Sequence, residues 1–546
     1  MWIYTDEDLD ARLSLAKPEG FLLDYWLFLH ADETHSVWRA RPFGLRFLAT
    51  SVAVATGAQH RALVRVLAAE LDRLRSVSHL LPTSVPGEQP LDPATGQIAA
   101  SWRTWLAAAL SDGYLRGFSS ALLAAIEETV LSSDFFTMSF LLRRYASELA
   151  DAEEAEHSII GRAKQAILYT PPNVAGSDRI RVALEPSDDV EYRVEFGVSP
   201  VEVPAKIAQT AKRNSRSKFI LQGDSGSTKV LTGIQVVVNA NHIRQAVANA
   251  LPSARSVLQR LRLGHYIRTT LHGPVKILPP EGSGDPRFLS LPGPFWQKGT
   301  IAREIPRLPG ATSYVQTHLA ALGGQRWAAA VWHVSSAIGL WPEDVHAASS
   351  EVWQGLESFS GSKQAVSSVL RRDYLRGLRD ELLAILARRV TKQRNVLEKH
   401  NGVCDWRYWD AKNYSAVNWA RWILSEHSVA YIGKWRQPPA PLVLFDERAG
   451  LLNDWAQTQS ASVPPRWAQQ RVSRDLDLLY GLRNAAVHGG TRIGNERAAA
   501  YLGRMGLEIL FWGMQSVATN VMDSGQGANE GALKETETAN NGGPDA

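Results

Sequence analysis

Val472-Ser-Arg-Asp-Leu-Asp-Leu-Leu-Tyr-Gly-Leu-Arg-Asn-Ala-Ala-Val-His-Gly-Gly490 decides how this chain reads. Its apolar residues Val472, Leu476, Leu479, Leu482 and Ala486 recur at helical steps, which predicts one amphipathic helix. Arg483 follows Leu479 by one helical step, so it points towards the apolar side rather than into open water. A charge placed there needs an anionic partner or a task, because burying it alone is costly. On a continuous helix Arg483 and His488 would diverge by about 140°. The helix must therefore end or tighten near His488 if both are to face one group, and Gly489-Gly490 supplies such an ending. A symmetric seam between two copies is the other route.

An arginine and a histidine are what phosphodiester cleavage of RNA needs without a metal. The histidine moves a proton near neutral pH, and the arginine holds the negative charge that builds on phosphate oxygens.

Working outward, the chain is helical from about residue 311. Trp327, Val331, Val334, Ile338 and Trp341 form one stripe. Pro342 is expected in the first turn of a second helix with Glu343 and Asp344, and Val345, Ala348, Val352, Leu356 and Phe359 form its stripe. Gly361 is its expected end. Further helices are predicted at about 363–400, 413–432, 445–457, 465–488 and 493–522.

The set Leu-Leu-Tyr-x-Leu-Arg-Asn-x-x-Val-His-Gly-Gly, ending at Gly490, resembles the signature of the HEPN superfamily, in particular its Apea-like branch. That signature is an arginine, four to six residues and a histidine, often with asparagine after the arginine. Val352-Trp-Gln-Gly-Leu-Glu-Ser-Phe359 is similar to the Leu-Glu segment of an early helix in that branch. The resemblance covers roughly residues 311–522. It implies a metal-independent endoribonuclease, often a toxin or effector of prokaryotic antiviral defence, usually a homodimer through its helical bundle. It implies His488 as general base or acid at the ribose 2′-hydroxyl, Arg483 as stabiliser of the pentacovalent phosphate, and Asn484 as the residue orienting His488 or the phosphate. Glu357 would pair with Arg483, and Tyr480 would support the site. The product ends would be a 2′,3′-cyclic phosphate and a 5′-hydroxyl. The alternative is a non-catalytic helical module that binds RNA or protein and dimerises.

Upstream, Leu63, Leu67, Leu71 and Leu74 predict a helix that stops before the Pro/Gly-rich loop at 81–97, and helical patterns resume over 98–168. Ile180, Val182 and Leu184 alternate with polar residues, as do Val190, Tyr192, Val194 and Phe196, with Pro186-Ser-Asp-Asp189 between them. This predicts a β-hairpin. Strands at 219–221 and 234–238, a helix at 241–263 and a Pro/Gly-rich linker at 273–310 follow. The expected fold class is mainly α with a central α+β region and a C-terminal antiparallel helical bundle. The expected divisions are 1–170, 171–310, 311–522 and a disordered tail at 523–546, which has too few apolar residues to offset its ordering entropy. The regions before the bundle are expected to sense or regulate, through a protein or nucleic-acid trigger.

Lys206, Lys212, Arg213, Arg216 and Lys218 form a basic cluster suited to phosphates. Gly223-Asp-Ser-Gly-Ser227 has the composition of a turn between strands rather than of a protease nucleophile segment. A phosphate-binding Gly-x4-Gly-Lys order and a His-Glu-x-x-His motif are both missing. The single cysteine, Cys404, excludes intrachain disulfides and thiolate zinc clusters. No metal and no cofactor are expected. A net charge of +4 permits an RNA partner without requiring one. The acidic start lacks the basic region of a signal peptide and no apolar run is long enough to span a bilayer, so a cytoplasmic protein away from membranes is expected.

Overall fold

The computed structural model describes residues 15, 17–30, 40–56, 60–152, 156–169, 176–185, 190–204, 217–222, 228–240, 243–265, 267, 269–278, 285–289, 324–341, 344–372, 374–375, 466–489 and 496–514. The predicted helix over 363–400 begins at Lys363, has a wide turn at Val366–Leu370 and is described to residue 375; its remainder and the predicted helices over 413–432 and 445–457 lie outside the described residues, as do the tail, Cys404 and Gly223–Ser227. The protein is mainly helical, with a five-stranded antiparallel sheet in its middle region.

The first part contains α1 (Lys17–His30), α2 (Leu45–Val54), α3 (Arg61–Leu74), α4 (Ala100–Ala109), α5 (Asp112–Ser132), α6 (Phe135–Asp151), α7 (Glu156–Leu168) and α8 (Gly176–Leu184). Leu63, Leu67, Leu71 and Leu74 of α3 are all buried, each worth about 1.5–3 kcal/mol of transfer free energy. Side-chain caps set two starts. Ser111 accepts from the Tyr114 N–H at α5, and Asp134 accepts from the Thr137 N–H at α6.

The first arm of the expected hairpin is instead α8. Ile180, Ala183 and Leu184 are buried while Val182 is exposed, which is the burial of a helix and not of a strand. Alanine at position 183 hides that period from an alternation count. The second arm is β1 (Val190–Pro204), and β2 (Ser217–Gln222) and β3 (Thr228–Ala240) also form as predicted. The expected linker begins with two more strands, β4 (Leu271–Leu278) and β5 (Arg287–Leu289). Glycine and proline around Val275 and Ile277 mask a strand whose apolar side is buried. The sheet order is β2-β3-β1-β4-β5. Helix α9 (Ile243–His265) covers one face, setting Ala250, Ala254 and Leu258 against Val194, Phe196, Ile234, Val236 and Ile277.

The C-terminal helices are α10 (Gly324–Leu340), α11 (Val345–Ser360), α12 (Arg466–Asn484) and α13 at 496–514. In α10 the buried face runs through Trp327, Ala330, Ala337 and Trp341, whereas Val331 and Ile338 of the expected stripe are exposed. Close packing explains the rotation, because a Cβ on Gly355 of α11 would lie 3.6 Å from the Ala330 carbonyl oxygen. Asp344 is the N-cap of α11 rather than part of its first turn, accepting from the Ala347 N–H at 3.0 Å. Gly361 ends α11 at φ 85°, where a β-carbon would be strained.

The N-terminal and C-terminal helices share one continuous apolar core, and the sheet with α9 has its own. Gly481 of α12 lies against Leu63 of α3, and the Phe43 ring meets the Tyr501 ring edge-on at 5.5 Å.

Candidate functional site

Helix α12 carries the Arg-Asn-x4-His sequence at its C-terminal end. Val472, Leu476, Leu479 and Leu482 of the expected stripe are buried, whereas Ala486 lies beyond the regular helix and is half-buried. Regular α-helix stops at Asn484 and a wide turn, Ala485–Gly489, follows. Such a turn links residues five apart in hydrogen bonds, so five residues complete slightly more than one revolution. It reduces the divergence that a regular helix would impose between the backbone positions of Arg483 and His488. For His488 the structure describes the backbone.

Arg483 is half-buried, and its Nη1 donates to Asn484 Oδ1 at 3.0 Å. Its Nε is buried and finds no hydrogen-bond acceptor among the described residues. Asn484 is itself buried. The guanidinium is thus held by its neighbour while keeping donors for an anion.

Helix α12 runs antiparallel to α11. Arg371, beyond the end of α11, donates to Ser473 Oγ early in α12, while the Tyr480 ring lies 5.1 Å from the Trp353 ring farther back along α11. Lys363, just beyond the end of α11, reaches back over the Tyr480 ring, its Nζ 3.5 Å from the centroid. Tyr480 therefore joins α11 and α12 by packing. Continuing the same direction places Arg483 towards the N-terminal half of α11, whereas Glu357 lies near its C-terminal end. Among the described residues no hydrogen bond or ion pair joins Glu357 to Arg483, and the expected pairing does not form.

Helix α13 runs parallel to α11. Ser349 donates to the Ala499 carbonyl, and a Cβ on Gly506 would meet Val352 and Leu479. The wide turn, Asp344 and Glu496 accordingly share one end of the packed helices. There α9 docks. Arg255 Nη1 lies 2.7 Å from Glu496 Oε2, and Gln259 Nε2 lies 3.5 Å from Asp344 Oδ2. Nothing in the sequence spacing marks these contacts, because their partners are 241 and 85 residues apart. Sequence reasoning also missed His333, whose Nδ1 is 2.8 Å from Glu351 Oε2 across α10 and α11.

Of the basic cluster, Lys218 is placed, exposed on β2. Lys206, Lys212, Arg213 and Arg216 lie outside the described residues. Among the described residues no group of three His, Cys, Asp or Glu side chains could hold a metal ion, and no helix is long and apolar enough to cross a membrane. No family model, no curated protein and no solved structure matches the chain.

Proposed function

We propose that the C-terminal helices form a HEPN-like, metal-independent endoribonuclease and that the N-terminal helices and the sheet module regulate it. One observation carries this reading: the wide turn that replaces regular helix between Arg483 and His488. Wide turns of this kind interrupt a hydrogen-bond ladder at a cost and occur often at functional sites.

In the reaction His488 accepts the proton of a ribose 2′-hydroxyl while the 2′-oxygen attacks the adjacent phosphorus. Arg483 stabilises the negative charge gathering on the phosphoryl oxygens, and Asn484 holds Arg483 in place. The P–O5′ bond breaks, the leaving 5′-oxygen takes a proton from water, His488 returns its own proton to solvent, and the products end in a 2′,3′-cyclic phosphate and a 5′-hydroxyl. Two copies form the working unit, for which the exposed Val331, Trp332 and Ile338 of α10 offer apolar surface. Its biological setting is a toxin or effector of prokaryotic defence.

The Arg483–Asn484 hydrogen bond also suits a second reading, in which the pair only caps the helix of a non-catalytic binding module. Incubation of RNA in EDTA with the wild type, Arg483→Ala and His488→Ala separates the two. The nuclease reading expects each variant to lose about 10²–10⁴ in rate while keeping its fold. Equal cleavage by all three proteins, or none by the wild type in any oligomeric form, rejects it.

A further inference from the structure

We infer that the face of the sheet turned away from α9 is a docking surface for single-stranded RNA; the choice of RNA rests on the nuclease reading above. The strand register builds one row across all five strands. Lys218 stands opposite Gln235, Gln235 opposite Glu195, Glu195 opposite Lys276, and Lys276 opposite Phe288. The residues flanking this row along the strands, Val194, Phe196, Ile234, Val236, Val275 and Ile277, are buried in the core shared with α9. Because side chains alternate, the row lies on the face away from that helix.

Its chemistry fits a strand of nucleotides. Gln235 Nε2 donates to Glu195 Oε1 at 2.8 Å, and Lys276 Nζ lies 3.1 Å from Glu195 Oε2. The carboxylate of the row is thereby neutralised within it and presents little repulsion to phosphate. Lys218 is exposed at one end, and Phe288 is 61% exposed at the other. Beside the row, Gly197 stands opposite both Gly233 and His272. A Cβ on Gly197 would lie 2.5 Å from His272 Cε1, so the floor is bare backbone with an imidazole laid over it. Open sheet faces carrying aromatic rings and cations take single strands by stacking bases and pairing phosphates.

A protein partner would favour a contiguous apolar patch. This row offers one exposed ring among polar groups.

The test uses the full chain carrying His488→Ala, so that RNA survives the measurement. Fluorescence anisotropy reads binding of a labelled oligouridylate and of an RNA duplex of equal length. The expected result is tighter binding of the single strand, an affinity loss of about tenfold on adding Phe288→Ala, and a shallower salt dependence on adding Lys218→Ala with Lys276→Ala. Circular dichroism of these surface variants checks that the fold persists. Parental affinity in both variants overturns the proposal, as does equal binding of the duplex or capture of a protein strand on β5 with no RNA binding. Cleavage is not read here. Loss of binding in Phe288→Ala keeps the sheet proposal even where Arg483→Ala proves the nuclease reading wrong.

Discussion

Arg41 forms an ion pair with Asp475, joining the segment before α2 to the helix that carries the Arg-His sequence. Glu70 of α3 takes the other side of the guanidinium at 2.9 Å, and Tyr501 of α13 donates to Asp475 Oδ2 at 3.0 Å. Burial works against the charge on Arg41, but Asp475 and Glu70 outweigh it and hold its pKa above the usual arginine range. Asp475 is fully buried, so removing its partner leaves a carboxylate stranded away from water. Arg41→Ala is expected to cost about 3–5 kcal/mol in denaturant unfolding. Arg41→Ala with Asp475→Asn should lose less than the two single changes summed. Simple additivity would show that the two groups do not couple.

Asp151 gives the N-terminal helices a pH dependence. Its Oδ2 accepts from the Phe47 N–H at 2.9 Å, and Glu148 Oε2 accepts from the Leu45 N–H at 3.1 Å, so two carboxylates meet one helix start. Burial first and Glu148 second push the Asp151 carboxyl up to about 8. In the unfolded chain an aspartate titrates near 4. Between about pH 4 and 8 the folded state therefore retains a proton that the unfolded state releases, and stability falls as pH rises through that window. Asp151→Asn, which keeps an acceptor for the Phe47 N–H, should flatten this decline. Melting temperatures measured at about pH 5 and pH 8.5 check it, and parallel slopes for wild type and variant would dismiss Asp151 as the source.

Local patterns were legible where one apolar period dominated. The leucines of α3 and the stripe of α12 could be read directly, as could the alternation in β1. Reading failed where small residues or turn formers carried the packing. Ala183 turned a helix into an apparent strand, Ala330 and Gly355 rotated α10 away from its larger apolar residues, and Gly273-Pro274 concealed β4. At the candidate site, the sequence showed Arg483, Asn484 and His488 and the need for a local ending. It did not show the wide turn, the antiparallel course that separates Glu357 from Arg483, or the docking of Arg255 on Glu496. Each of these depends on contacts far apart along the chain.

Gly481 sits two residues before Arg483 and admits α3 against α12. A Cβ there would lie 3.1 Å from Leu63 Cβ and Cδ1. Gly481→Ala is expected to lose stability, by about 1–3 kcal/mol where α3 cannot recede. On the nuclease reading it also lowers RNA cleavage, because the motif end of α12 shifts with its support. Leu63→Ala removes Cδ1 and Cγ but keeps Cβ and itself costs about 2–5 kcal/mol as a core truncation, so the double variant should lose less than the two single losses summed. Strict additivity would show that the two positions do not couple through this contact.

Arg255 and Glu496 bring the sheet module to the end of the bundle where the wide turn lies. The Arg255 side chain is almost fully buried and Glu496 is partly so, which makes the pair stronger than an exposed one. A double-mutant cycle with Arg255→Ala and Glu496→Ala should give a coupling of about 1–3 kcal/mol in unfolding. The sheet and α9 have a separate core, so the module is expected to stay folded when the contact is cut, with its strand content unchanged by circular dichroism. If the module restrains the nuclease, Glu496→Ala raises basal cleavage of RNA in EDTA while leaving its dependence on Arg483 and His488 intact. If it positions RNA instead, the same variant lowers cleavage and raises the RNA concentration needed for half-maximal rate. An unchanged rate together with a measurable coupling energy would assign the Arg255–Glu496 pair to stability alone.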